Sequence, residues 1–177
     1  MDQIRRREAF APAVVLAVGL ATILGAWAFE LIGHYVPCKL CLEERVPYYV
    51  GLPIALAAML AAIAGAKPTV ARTLLMAAGL IFAINVYLGL YHAGVEWGWW
   101  AGPTDCGPGG ASPTTSASDL LNRLQDIRIV SCAEASWRFA FLSFAGWNAA
   151  VSLFLVAAAL WGAFRPLAPR ATPRTGG

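Results

Sequence analysis

Four cysteines are the residues of this chain best suited to redox chemistry, and they fall into two pairs. Cys38 and Cys41 form a Cys-x-x-Cys motif, whereas Cys106 and Cys132 lie in one long polar segment. A thiolate can attack a disulfide, so two pairs on the same side of a membrane can pass a disulfide from one to the other. The pattern therefore indicates thiol–disulfide exchange, provided that both pairs share one compartment.

The first pair lies where a helix is expected to begin, because Pro37 precedes it. A helix N-terminus and the Cys-x-x-Cys spacing both favour a thiolate. Arg45 follows Cys41 by four residues, one helical turn along the same face. Its permanent charge can favour a Cys41 thiolate or bind an anionic or carbonyl ligand. The alternative is that it pairs with Glu43 or Glu44 at the membrane interface.

Other polar residues stand out in apolar surroundings. His92 ends an apolar stretch, and Asn85 lies two turns before it on roughly the same face. His92 is expected at the membrane level of Cys41, where it can donate to a ligand oxygen. A lone membrane Asn more often makes an interhelix hydrogen bond, and a lone His at a helix end is more often interfacial. Glu30 and His34, at i and i+4, are interpreted as structural, with proton handling as the alternative.

Composition places the chain among membrane proteins. Hydrophobic residues make up 59%, charged residues 13%, and the mean hydropathy is +0.62. A spanning helix needs about 20 mostly apolar residues to cross ~30 Å of hydrocarbon. Four stretches without a charged residue meet this length: 9–29, 46–66, 73–95 and 139–164. The sequence predicts an all-α integral membrane four-helix bundle over residues 1–164 and a disordered tail over 165–177.

Basic residues set the expected orientation. The side that holds both termini carries eight of the 13 Lys+Arg, namely Arg5, Arg6, Arg7, Lys67, Arg72, Arg165, Arg170 and Arg174. The positive-inside rule places that side in the cytoplasm. The loops 30–45 and 96–138, with all four cysteines, then face the side where disulfides persist. The net charge of +3 is a topology signal, and no basic patch indicates nucleic-acid binding.

The second of these loops has internal organisation. It opens with aromatic residues over 97–100, which suit the headgroup level, and continues into a Pro- and Gly-rich segment around Cys106. Apolar residues at helical spacing over 120–130 then predict a short amphipathic helix. This helix either lies along the membrane surface or packs on the outer end of the bundle.

The ordered set of motifs resembles the DsbB family, the inner-membrane oxidoreductases that reoxidise the periplasmic protein DsbA with a quinone. With the four spans, the resemblance covers nearly the whole chain except the tail. Lys39 and the Trp-rich segment 96–100 are less typical of the family and leave the preferred partner open. The resemblance is carried by Cys38-x-Leu40-Cys41-x-x-Glu44-Arg45, the His92 segment, Cys106 in its Pro/Gly loop, and Cys132-Ala133-Glu134-x-x-Trp137.

The resemblance implies an electron route through the four cysteines on the periplasmic face of a bacterial inner membrane. Cys106 and Cys132 would form the outer disulfide, with Cys106 accepting attack from a reduced DsbA-like protein of thioredoxin fold. The freed Cys132 would then attack Cys38 and release Cys41 as a thiolate. The electrons would leave on a membrane quinone.

The resemblance also implies a quinone site and no metal. Cys41 would lie beside the quinone, either ubiquinone or menaquinone. Arg45 would stabilise the Cys41 thiolate and bind the quinone, and His92 would hydrogen-bond a quinone oxygen. Glu44 would contact these residues without contacting the quinone.

Three rival interpretations remain. A vitamin K epoxide reductase-like enzyme also couples loop cysteines to a membrane pair and a quinone, but there the membrane pair follows the loop pair in the chain. A zinc protein would use all four cysteines as a closed thiolate site. A purely structural membrane protein would use them as two stapling disulfides, which leaves the placement of Arg45 unexplained.

Overall fold

The structure is a computed structural model that describes residues 3–103 and 132–166. Its elements in chain order are α1 (Gln3–Leu31), α2 (Lys39–Glu43), α3 (Val46–Ala64), α4 (Pro68–Glu96), β1 (Arg138–Phe139), β2 (Leu142–Ser143) and α5 (Phe144–Phe164). Four of these helical segments are long and apolar enough to cross a membrane, α2 and α3 together forming one of them. The predicted all-α membrane bundle is confirmed, with one small antiparallel hairpin, β1–β2, added to it.

The helices begin and end at residues with a local reason to do so. α3 has Pro47 in its first turn, where a missing N–H costs nothing, and it ends at Gly65, whose φ of 76° is left-handed. α4 begins at Pro68 for the same reason as α3. Before α5, the Ser143 hydroxyl accepts a hydrogen bond from the backbone N–H of Gly146 at 3.2 Å.

The hairpin changes the predicted start of the fourth span. The charge-free stretch begins at Phe139, but α5 starts only at Phe144, because the residues between form β1, its turn and β2. Ala140 and Phe141 in that turn both have positive φ, 47° and 68°. Such a turn reverses the chain in two residues, so the apolar hairpin lies outside the helix. Hydropathy alone cannot distinguish an apolar hairpin from the start of an apolar helix.

Small residues let the helices pack closely. A Cβ at Gly89 of α4 would lie 3.0 Å from the backbone N of Ala149 in α5. Lipid offers no hydrophobic drive for helix association, so close backbone approach through Gly and Ala is the usual solution. The buried centre contains Val15, Phe82 and Leu155, each without exposed surface.

The bundle has two chemically different ends. The cysteine end contains residues 30–45, the C-terminus of α4 and the β1–β2 hairpin, while the opposite end contains the start of α1, the α3–α4 turn and the end of α5. Cys106, the predicted amphipathic helix over 120–130 and the tail beyond residue 166 lie outside the described residues. The candidate functional site therefore lies at the cysteine end.

Candidate active site

The Cys-x-x-Cys pair lies at a helix start, where the sequence placed it. Cys38 is the N-cap of α2, and its Sγ accepts a hydrogen bond from the Cys41 backbone N–H at 3.3 Å. The two sulfurs are 2.9 Å apart, and both cysteines are free thiols in the structure. Cys38 is buried and Cys41 half-buried. The pair is thus held in a geometry in which one thiol donates to the other sulfur.

This geometry favours a thiolate on Cys38. The hydrogen bond from the Cys41 thiol, aided by the neighbouring His92 ring, lowers the pKa of Cys38 to about 4, although burial acts in the opposite direction. The Cys41 backbone N–H adds to the same effect. When the reduced pair loses its first proton, the negative charge therefore lies on the buried Cys38 sulfur.

A pH titration of the reduced pair should display this shift. In a Cys106→Ser/Cys132→Ser variant, whose only thiols are Cys38 and Cys41, we expect a thiolate ultraviolet signal at neutral pH. Because the pKa of Cys38 is lowered from 9.0 to about 4, the signal persists down to that value and is lost as the pH falls through it. The same variant unfolded in denaturant should titrate near the ordinary thiol pKa. A folded-state midpoint near 9 would contradict the assignment.

His92 joins the cysteine pair to a buried carboxylate. Its Nε2 lies 3.6 Å from the Cys38 Sγ, and its Nδ1 lies 2.8 Å from Oε1 of Glu44. Only 3% of His92 and 7% of Glu44 is exposed. Buried polar groups of this kind are stable only when they are hydrogen-bonded. The carboxylate fixes the orientation of the ring and thereby its second nitrogen against the sulfur.

The carboxylate of Glu44 continues into a polar network inside the bundle. Its Oε2 accepts a hydrogen bond from Asn148 Nδ2 at 2.9 Å. Asn148 Oδ1 in turn accepts from the Tyr48 hydroxyl at 2.8 Å and from Asn85 Nδ2 at 3.2 Å. Asn85 Nδ2 also donates to the Ser152 hydroxyl at 2.9 Å. Asn85 therefore makes the interhelix hydrogen bonds that its type suggested.

A mostly apolar cavity of about 190 Å³ lies between α1, α3 and α5 at the cysteine end. Its polar lining includes Cys41, Glu44, Arg45, Tyr48 and Asn148. Apolar and aromatic side chains supply the remaining walls, among them Ile23, Phe29, Tyr35, Val36, Phe144, Trp147 and Val151. Ligand sites are commonly apolar with a few converging polar groups, so this cavity is a candidate ligand site.

Arg45 is held at this cavity by a carboxylate from another helix. Its Nη1 lies 2.5 Å from Oε2 of Glu30, at the end of α1, and both residues line the cavity. The alternative partners considered from the sequence were Glu43 and Glu44, which are closer in the chain. The Arg45 side chain is 13% exposed, so its charge acts in a largely water-excluded place.

Cys132 packs in a buried cluster with the cysteine pair. It is 2% exposed and belongs to one cluster of buried residues with Cys38, Leu40 and Val95. Cys132 is disulfide-bonded in the structure, whereas Cys38 and Cys41 are not. The structure therefore places Cys132 in one buried cluster with Cys38. Cys41 packs against this cluster and also lines the cavity.

The structure places His92 behind the cysteine pair. It contacts Cys38 and Glu44 and is not among the residues that line the cavity, and its predicted bond to a quinone oxygen stays a prediction. The ligand atoms of Cys38, Cys41 and His92 lie within 4.8 Å of one another, which is close enough to hold one metal ion. Cys132 is not part of that group, in contrast to the four-cysteine zinc site considered above.

Some residues of the site carried no functional signal in the sequence. Asn148, Tyr48 and Ser152 are isolated polar residues in spans, and Glu30 was interpreted as structural. Their roles depend on how each helix is rotated, which periodicity cannot fix in spans this apolar. The one sequence signal that could have identified them is the presence of polar residues at similar depth in different spans.

The fold and the site together define a multi-pass membrane protein with a thiol–disulfide centre at one end. Residues 7–162 match the family described as disulfide bond formation protein DsbB. The chain belongs to this family, which makes it a membrane disulfide oxidoreductase that acts in disulfide bond formation. Searches of curated proteins and of solved structures gave no match.

Proposed function

We propose that this chain reoxidises a periplasmic DsbA-like protein and passes the two electrons to a membrane quinone, ubiquinone or menaquinone. One observation carries the proposal. The Cys38–Cys41 pair joins two places, because Cys38 packs with Cys132 while Cys41 lines the apolar cavity with Arg45. A pair in this position can receive electrons from the loop and deliver them into the membrane.

The proposed orientation has both termini in the cytoplasm and the cysteine end in the periplasm of a bacterial inner membrane. Its support is the concentration of basic residues at the opposite end of the bundle. An oxidising compartment is also the place where a loop disulfide can persist.

The proposed exchange balances sulfur by sulfur. A partner thiolate attacks Cys106, forms a mixed disulfide and releases the Cys132 thiolate, which attacks Cys38 and releases Cys41. The second partner thiol then releases Cys106 and leaves the partner oxidised. Cys106 attacks Cys132 and restores the loop disulfide, so that Cys38 and Cys41 hold the two electrons as a dithiol. A free Cys38–Cys41 pair beside a disulfide-bonded Cys132 corresponds to this last state.

A quinone bound in the cavity would accept two electrons and two protons when Cys38 and Cys41 return to a disulfide. The chain's own residues would prepare that step. The Cys41 sulfur faces the cavity, and the Arg45 guanidinium supplies a donor and a positive charge at the same wall. His92 Nε2 lies against the Cys38 sulfur, where it can stabilise the Cys38 thiolate, and Nδ1 lies against Glu44, which itself lines the cavity. In this proposal His92 acts through Cys38.

Arg45→Met is expected to raise the apparent KM for quinone by about tenfold or more, with a smaller change in kcat. A hydrogen bond to a charged group contributes about 1.5–3 kcal/mol, and methionine keeps the bulk without the donors. The measurement is the initial rate of quinol formation over a range of quinone concentrations. Arg138→Met, which removes an exposed arginine of β1 at the same end, is the matched control. An unchanged KM in Arg45→Met would contradict the role.

The decisive experiment is quinone-dependent oxidation of a reduced DsbA-like protein by the purified full chain. We expect one quinol and one partner disulfide for every two electrons. Partner oxidation at the same rate without quinone would overturn the proposal. The family match favours this activity over the vitamin K epoxide reductase-like alternative. Zinc titration of the reduced protein tests the metal alternative. Cys38, Cys41 and His92 are the three residues whose ligand atoms are close enough together to bind the ion.

A further inference from the structure

We propose that the opposite end of the bundle, away from the cysteines, holds a binding site for the phosphate group of an anionic membrane phospholipid. The site is a cavity of about 60 Å³ between α1, α4 and α5. One arginine from each side converges on it: Arg7 from α1, Arg72 from α4, and Arg165 directly after α5. The redox proposal does not depend on this site.

Among the described residues, the charges that line the cavity are not balanced. Three arginines and one carboxylate, Glu8, line it, so the formal charge of the lining is +2. Within residues 3–103 and 132–166, the ion pairs all lie at the cysteine end, and none involves these arginines. Guanidinium groups that converge without carboxylate partners suit a phosphate, which they can bind through paired hydrogen bonds.

Two of the arginines are held in place by their own surroundings. The Arg72 guanidinium donates to the backbone carbonyl of Arg165, which links the start of α4 to the end of α5. The Arg165 guanidinium lies over the Trp161 ring, 4.6 Å from its centroid. Preorganised donors lose less side-chain entropy when a ligand binds. The cavity is therefore a formed site, in contrast to a loose set of basic side chains.

The position points to a lipid as the source of the phosphate. The cavity lies where three spans end, at the depth where headgroups lie. Trp161, which is 51% exposed, lines the cavity and packs edge-on against the exposed Phe10, so apolar surface continues from the arginines toward the lipid chains. Glu8 can accept a hydrogen bond from a headgroup hydroxyl. Phosphatidylglycerol has both the phosphodiester and the hydroxyls that this lining fits.

Binding can be measured on the purified full chain in detergent by native mass spectrometry. The probes are phosphatidylglycerol, zwitterionic phosphatidylcholine and inorganic phosphate. We expect one tightly bound phosphatidylglycerol. Affinity for phosphatidylcholine should be lower by about tenfold or more, because it has the same phosphodiester but adds a trimethylammonium charge beside the arginines and lacks the headgroup hydroxyls that Glu8 could accept from. Equal affinities for the two lipids would overturn the proposal. Displacement of phosphatidylglycerol by an equal concentration of inorganic phosphate would assign the site to free phosphate and overturn the lipid source.

Arg7 and Arg6 form a matched pair for the same experiment. Both are exposed and lie in the first turns of α1, but only Arg7 lines the cavity. Arg7→Gln should weaken phosphatidylglycerol binding by about tenfold, whereas Arg6→Gln, with the same change of charge, should change it by less than about twofold. Arg7 is preferred to Arg72 because Arg72 also ties two helices together. Equal losses in the two variants would mean that general basic charge attracts the lipid, and would overturn the site.

Discussion

Cys41→Ser is expected to abolish quinone reduction while the bundle and its loop disulfide remain. The Cys41 sulfur is the one thiol that lines the cavity among the described residues, and Cys38 lies behind it with only 5% of its surface exposed. A serine hydroxyl does not form an anion near neutral pH and cannot close a disulfide with Cys38. We therefore expect quinol formation, followed with reduced DsbA-like protein as the electron source, to fall to the uncatalysed background.

Leu42→Ser is the control for this variant. It introduces the same side chain one residue further along α2, at a position that is 49% exposed and outside the cavity lining. Its quinone reduction should stay close to that of the unchanged protein. Measurable turnover in Cys41→Ser, with Leu42→Ser as active as expected, would show that another group donates electrons to the quinone and would end the proposed route.

Cys106→Ser is expected to trap a disulfide between Cys38 and Cys132. Without Cys106, Cys132 has no partner in its loop, and it lies in the same buried cluster as Cys38. Its thiolate can then attack the Cys38 sulfur of the Cys38–Cys41 disulfide and release Cys41. Peptide mapping under non-reducing conditions should recover the Cys38–Cys132 bond as the main species.

A second variant distinguishes attack on Cys38 from attack on Cys41. Adding Cys38→Ser to Cys106→Ser should remove the trapped bond, because the proposed route attacks the Cys38 sulfur and Cys41 instead lines the cavity. Recovery of a Cys41–Cys132 bond, or of an intact Cys38–Cys41 bond beside an unbonded Cys132 in Cys106→Ser alone, would contradict direct exchange through Cys38.

Apolar length predicted the spans: four apolar stretches correspond to four helical segments long enough to cross a membrane. Cys41 and Arg45, four residues apart, both line the cavity, although α2 ends between them and Arg45 is the N-cap of α3. Hydropathy failed at Phe139, because an apolar hairpin and an apolar helix have the same composition. The predicted roles of the cysteines remain predictions until the variants above are measured.

The contacts between helices could not be predicted from the sequence. Arg45 has carboxylates next to it in the chain, at Glu43 and Glu44, yet the structure pairs it with Glu30 across the cavity. Similarly, His92 reaches the level of the cysteine pair but turns its ring to Cys38 and not to the cavity. Both outcomes depend on helix rotation and on the path of the chain between Leu31 and Cys38, which no local pattern encodes.

The buried hydrogen bonds around Asn148 have a consequence for how the spans are aligned along their axes. Faces of Gly and Ala repeat along α4 and α5 and would tolerate a slip by one turn, since each small residue is much like the next. Such a slip would separate Asn85 and Asn148 and leave several polar groups unpaired in an apolar interior, which is costly. We expect these groups to fix a single axial register, so that this buried polar network sets the heights of the redox sulfurs and of the cavity above the membrane centre.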